Sequence, residues 1–225
     1  MDKQLLRECR KIVDVKLNEI DNTFNVKSDS KEELAKSQAF LAYSFGFGPR
    51  KDGKIETRNG REIHFKPEEF FVGISNEGLA KVISDYRKQG LNIPVFAQWE
   101  IAVALAEKYG LELPEKQIAK PREGYLGTPG VIQQFLEGGV SGLERVAVVA
   151  HPDHMRRAVD TTAGIVKAKR GKGFEAVYET DTSSVGYDSL SVQPWTRSEK
   201  AFSYYEFFNR AAFELTNMFQ QATRD

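Results

Sequence analysis

The chain has 225 residues, 40% of them hydrophobic and 15 of them Phe, which is apolar surface enough for one core and too much for a disordered chain. Its 32 Lys and Arg balance its 32 Asp and Glu, so no overall field draws it to nucleic acid or to an anionic membrane surface, and any phosphate binding has to be local. Cys9, the single cysteine, leaves no internal disulfide to form, in keeping with a reducing compartment.

Residues 1–36 read as a helical extension and residues 37–225 as one α/β domain. Charges are spread through MDKQLLRECRKIVDVK, with no apolar run as long as a signal peptide or a membrane span requires, so the expected location is cytoplasmic and no membrane partner is expected. Leu5, Leu6, Cys9, Ile12, Val13, Leu17 and Ile20 recur at helical spacing. They predict an amphipathic first helix, whose apolar face either packs on the body or pairs two copies into a homodimer. A polar connection follows from Asp21, with a short helical piece over residues 31–36.

Ala39 to Phe45 is a continuous apolar run entering the turn Gly46-Phe47-Gly48-Pro49, the pattern of a strand buried on both faces. Residues 50–70 are charged and punctuated by glycine, and Ile55, Ile63 and Phe65 suggest an inserted hairpin. Leu79, Val82, Ile83 and Tyr86 follow Ser75-Asn76-Glu77 at helical spacing as far as Gly90, and residues 92–97 form a second buried strand. Helices over Glu100 to Tyr109 and Thr128 to Leu136 flank a short strand at 117–119, with Thr128-Pro129 as cap and first-turn proline. Arg145 to Ala150 is the strongest strand, and Pro152 or Asp153 opens a helix that runs to about Lys169. Residues 174–178 add a further strand. Ser198 to Gln221 is a long terminal helix with Phe202, Tyr205, Phe208 and Phe213 on its buried face. Strands alternating with helices predict a Rossmann-like, doubly wound, mainly parallel sheet.

In such a sheet ligands bind beyond the carboxyl ends of the strands, which singles out three loops: Ser44 to Arg50, Gln98 to Glu100, and His151 to Arg157. The last gathers two imidazoles, a carboxylate and two guanidiniums at one strand-to-helix turn, where free backbone N–H groups and Arg suit a phosphate or carboxylate. His154 is the expected acid or base because an unperturbed imidazole titrates near neutrality, with Asp153 and Glu100 as the other catalytic candidates. Asp153 has an alternative role as a helix cap. The expected ligand contacts are Arg157, His151, Arg156, Ser44, Gly46, Gly48, Gln98 and Thr128, and this reading includes no metal. Gly46-Phe47-Gly48 lacks the third glycine of a dinucleotide fingerprint, and Gly171-Lys172-Gly173 follows a helix, so neither is a phosphate loop. Trp99 and Trp195 either stack a ring or pack.

Three stretches carry a family resemblance. They are His154-Met155-Arg156-Arg157-Ala158 after the Val-rich strand, Glu100-Ile101-Ala102 opening the helix after the second strand, and Gln193-Pro194-Trp195-Thr196-Arg197 before an aromatic helix. Over roughly residues 39–215 the chain resembles the YdcF/SanA/ElyC-like proteins of bacteria. The resemblance implies a Rossmann-like fold and, as for some members, a nucleotide or S-adenosylmethionine-like ligand. Other members act at the envelope and carry membrane anchors. Where the family has Thr-x-x-Asn, this chain has Thr128-Pro129-Gly130-Val131.

A second resemblance lies in Val148-Val149-Ala150-His151-Pro152-Asp153, which is similar to the opening of the zinc-dependent N-acetylglucosaminyl deacetylases. It implies that His151 and a further acid hold Zn²⁺ while Asp153 activates a water, although His154 and Met155 stand where those enzymes have Asp-Glu. Three functions remain open on the sequence. The first is binding of an anionic small molecule, either nucleotide-like or a phosphorylated metabolite, with hydrolysis or group transfer. The second is a non-catalytic ligand sensor, and the third is a zinc hydrolase.

Overall fold

A computed structural model of the chain describes residues 28–53, 67–121 and 126–208. The amphipathic first helix with its dimer face, most of the inserted hairpin with His64, and the terminal helix beyond residue 208 lie outside the described residues.

Five strands form one all-parallel sheet: β1 (Phe40–Ala42), β2 (Val95–Gln98), β3 (Ile118–Ala119), β4 (Arg145–Val149) and β5 (Ala176–Glu179), in the order β3-β2-β1-β4-β5. Five helices accompany them: α1 (Lys31–Leu34), α2 (Ile74–Lys88), α3 (Trp99–Tyr109), α4 (Thr128–Glu137) and α5 (Pro152–Arg170). A sixth, α6, spans 199–208 of the described residues. The Rossmann-like α/β architecture expected from the alternation of strands and helices is thus present.

Alternation along the strands assigns each helix to a face. Phe40, Ala42, Ala97, Ala147 and Val149 point to one side, where Leu79 and Ile83 of α2 and Ile101 and Leu105 of α3 complete a buried cluster with Leu34. Leu41, Tyr43, Phe96, Val146 and Val148 point to the other, against Val131 and Phe135 of α4 and Met155 and Ala158 of α5. Each large side chain so buried contributes about 1.5–3 kcal/mol of transfer free energy, which is why these apolar runs become central strands. Residues preceding β1 join the body too, since Asp29 donates its backbone N–H to Glu179 at 2.9 Å.

Several element ends differ from the sequence expectation, each for a local reason. The ladder of β1 stops well before Phe45 because Tyr43 makes the last strand bond, to the Val149 carbonyl at 2.9 Å. The next two N–H groups, of Ser44 and Phe45, go to the side chains of Gln98 and Asn76, each at 2.8 Å. The second strand starts at Val95 rather than at Asn92, since Pro94 has no N–H to give a ladder. Thr128 does not cap α4; it is the first helical residue, behind Gly127. Asp153 does not cap α5; the Nδ1 of His151 accepts the Asp153 N–H at 3.4 Å. On α6, Phe202 is buried as expected, but Phe208 is 65% exposed, and Glu206 takes the buried position one turn beyond Phe202.

Candidate functional site

From β1 the chain moves outward through β2 to β3, then crosses to the other side of β1 for β4 and β5. The strand order therefore reverses between β1 and β4, and the loops leaving their carboxyl ends diverge to opposite faces. They leave a crevice where parallel sheets bind ligands. A cleft of about 50 Å³ occupies this place. It is walled by Ser44, Phe45, Gly46 and Phe47 after β1, by Gln98, Trp99 and Glu100 after β2, and by Thr128 at the start of α4. His154 and Arg157 from α5 and Gln193, Trp195, Thr196 and Phe202 from the C-terminal segment close it.

The β1 wall is held by two buried amides, Gln98 on the Ser44 N–H and Asn76. Asn76, fully buried near the start of α2, accepts the Phe45 N–H and donates to the carbonyls of Gly46 at 2.7 Å and Val72 at 2.9 Å. These bonds satisfy backbone groups that leave the sheet where water does not reach them. Gly46 itself has φ of 73°, and a Cβ there would lie 2.3 Å from Thr196 Oγ1 and 2.7 Å from Ser191 Oγ. The C-terminal segment thus approaches the loop as closely as it does because position 46 is glycine.

Within the cleft burial acts on Glu100 and His154 in opposite directions. Glu100 is 4% exposed, and burial pushes its carboxyl up to about 8, against smaller lowering effects from its own N–H and the Ser44 side chain. Its Oε2 lacks a hydrogen-bond partner. Near neutrality Glu100 is therefore mostly a carboxylic acid with a proton to give. His154, also 4% exposed, is held well below the usual imidazole range, first by burial and then by the charge of Arg157, with a smaller electrostatic influence of His151. Its Nε2 stands 3.3 Å from Thr128 Oγ1, and its Nδ1 is unpartnered. The ring is neutral where an unperturbed histidine would be titrating, so Glu100 is the group poised near pH 7.

Arg157 reaches the cleft as the α5 register predicts, but its guanidinium is already engaged. Its Nη1 forms an ion pair with Oε1 of the buried Glu206 on α6, and its Cζ lies 5.8 Å from the Phe202 ring centroid. The Nε of Arg157 is buried with no partner. Three unsatisfied buried atoms, from Glu100, His154 and Arg157, thus belong to residues walling one cleft. Each such atom costs about 1–3 kcal/mol while it lacks a partner.

The rest of the histidine-rich turn lies off the cleft. His151 is 2% exposed, stacked on Phe45 at 3.9 Å between centroids and 4.5 Å from the Tyr187 ring. Burial pushes it down to about 3, so it is a neutral cap for α5, and it does not line the cleft. Asp153 accepts the Tyr187 hydroxyl, and its carboxyl is raised by burial in spite of that bond. Arg156 faces solvent and pairs with Asp160 at 3.0 Å. Gly48 donates its N–H to the Phe71 carbonyl at 2.9 Å, away from the cleft. Of the sequence candidates the structure therefore gathers Ser44, Gly46, Gln98, Glu100, Thr128, His154 and Arg157, and leaves aside His151, Asp153, Arg156 and Gly48.

Sequence reasoning missed Asn76 and Glu206, and it named Gln193 and Thr196 only within a stretch of family resemblance, not as part of a site. Asn76 lies in a stretch that signals a helix start, and only its complete burial reveals it as a loop clamp. Trp195 lines the cleft while stacking on Tyr205 at 4.9 Å and 10° between planes. Among the described residues no three His, Cys, Asp or Glu side chains group as a metal site, so the pair His151 and Asp153 has no third donor there. No helix of the described residues is long and apolar enough to cross a membrane. The chain matches no family model, no curated protein and no solved structure.

Proposed function

We propose that the cleft at the reversal of strand order binds the anionic end of a small molecule, a phosphorylated metabolite or a nucleotide-like or S-adenosylmethionine-like compound, and that Glu100 exchanges a proton with it. The observation that carries this reading is the convergence of Glu100, His154 and Arg157, each with a buried unpaired polar atom, on one small cleft at the carboxyl ends of β1, β2 and β4. A space of about 50 Å³ suits a group of a few atoms, so the larger parts of such a ligand lie outside it. Position and chemistry agree with the YdcF-like resemblance, which implies this class of ligand.

In this reading the neutral His154 and the N-terminal turns of α3 and α4, neither with a side-chain cap, orient the ligand. Glu100, protonated near neutrality, gives its proton to the group that leaves in a hydrolysis or transfer. The test is a thermal-shift panel of phosphate, phosphorylated metabolites, nucleotides and S-adenosylmethionine, followed by product analysis of whatever binds. A binder at about a hundred times its Kd raises stability by about 2.7 kcal/mol. Glu100→Gln keeps a hydrogen-bond donor but transfers no proton, so it retains binding and loses at least about a hundredfold in turnover. Binding without consumption by the wild-type protein identifies a sensor. A panel in which nothing stabilises the protein removes the reading.

A further inference from the structure

The terminal helix does more than close the core. Phe202, Tyr205 and Glu206 lie three and four residues apart on α6 and so share one face. Phe202 walls the cleft, Tyr205 stacks on the cleft residue Trp195, and Glu206 holds Arg157. Glu206 is 3% exposed, so the chain itself sets a buried carboxyl against the one guanidinium that lines the cleft among the described residues.

We infer that Glu206 is an internal competitor that makes the cleft selective for a phosphoryl group over a carboxylate. This rests on the reading of the cleft as an anion site. A carboxylate ligand that takes Arg157 merely exchanges one carboxylate for another and breaks an ion pair of the buried Glu206, a substitution with nothing to drive it. A phosphoryl dianion brings more charge and more acceptor oxygens to the same guanidinium, on a residue that walls the cleft together with His154. Only the stronger anion displaces the carboxylate. Because Glu206 sits on the same face as Phe202 and Tyr205, its release loosens α6 and disturbs Trp195.

Inorganic phosphate and acetate are the probes, titrated into the wild-type protein and Glu206→Gln with tryptophan fluorescence as readout. Trp99 and Trp195 are the two tryptophans of the chain, and both line the cleft. The expected result is that phosphate binds the wild type and acetate does not. In the variant phosphate binds at least about tenfold tighter and acetate now binds, so that discrimination between the two falls. Equal phosphate affinity in both proteins, with discrimination unchanged, overturns the competitor while leaving the anion site standing. Phosphate binding to neither protein overturns the site and the competitor together. Should Glu206→Gln not fold, hydrogen exchange on the wild type decides: amides of residues 199–208 exchange faster with phosphate bound if the inference holds, and unchanged protection in the phosphate-bound protein refutes it.

Discussion

The two turns that flank the cleft, after β2 and after β4, are unlike in what they contain and in what they do. The β4 turn is rich in reactive side chains, yet His151 caps a helix, Asp153 is tied to Tyr187 and Arg156 pairs in solvent, so only His154 and Arg157 reach the cleft. The β2 turn offers one ionisable group, Glu100, and burial alone moves it to where a proton can be exchanged near neutrality. A dense cluster can satisfy its members against each other, whereas an isolated buried carboxyl with an unpaired oxygen keeps its potential for a ligand.

The largest expected effect breaks or sustains the β2 half of this contrast. Glu100 titrates near 4.5 when exposed and near 8 when folded, so the native state holds its proton more tightly than the unfolded chain does. Its contribution to stability is therefore full below about pH 4.5 and is lost as pH rises toward 8, by roughly 5 kcal/mol at most. Glu100→Gln has no such loss. Urea unfolding at a series of pH values should show the variant gaining on the wild type between pH 5 and pH 9, and a difference that stays flat with pH contradicts the assignment.

Next in size is His151→Ala, which tests whether that ring serves structure alone. It removes the stack on Phe45, opens a cavity beside the β1 loop and strips the α5 cap, together about 2–3 kcal/mol. His151→Asn restores an acceptor for the Asp153 N–H and should recover about 1 kcal/mol of this. Both variants keep their response to ligand once folded. If either loses that response at full stability, the division between the two turns is wrong.

The parts of the molecule legible in the sequence are those written in contiguous residues. Arg145 to Ala150 reads as an inner strand and forms one as far as Val149, Gly110 and Gly171 end their helices in the left-handed conformation as glycines do, and Glu100 sits where a strand must turn into a helix. What the sequence did not disclose depends on partners far along the chain. Asn76 acquires its role from Phe45 and Gly46, 31 and 30 residues away, and Asp153 meets a tyrosine 34 residues on. The same cause acts on His154: nothing in the adjacent residues moves its imidazole from the usual range, whereas its surroundings in space bury it and hold it well below.

The smallest expected effect concerns that distant tyrosine. Burial raises the Asp153 carboxyl and the Tyr187 hydroxyl opposes the shift by hydrogen-bonding to it, so the bond favours the ionised form. Tyr187→Phe keeps the ring beside His151 and removes only the hydroxyl, costing about 1 kcal/mol at neutral pH. Because the bond favours the carboxylate, that cost shrinks as pH falls through the native titration of Asp153, where the wild type also protonates. Paired urea curves at pH 7 and pH 4 therefore show a larger gap at the higher pH. A variant as stable as the wild type at both, yet weakened severalfold in ligand binding, would move Asp153 and Tyr187 out of the framework and into the site, and the β4 turn would then be the reactive wall its composition first suggested.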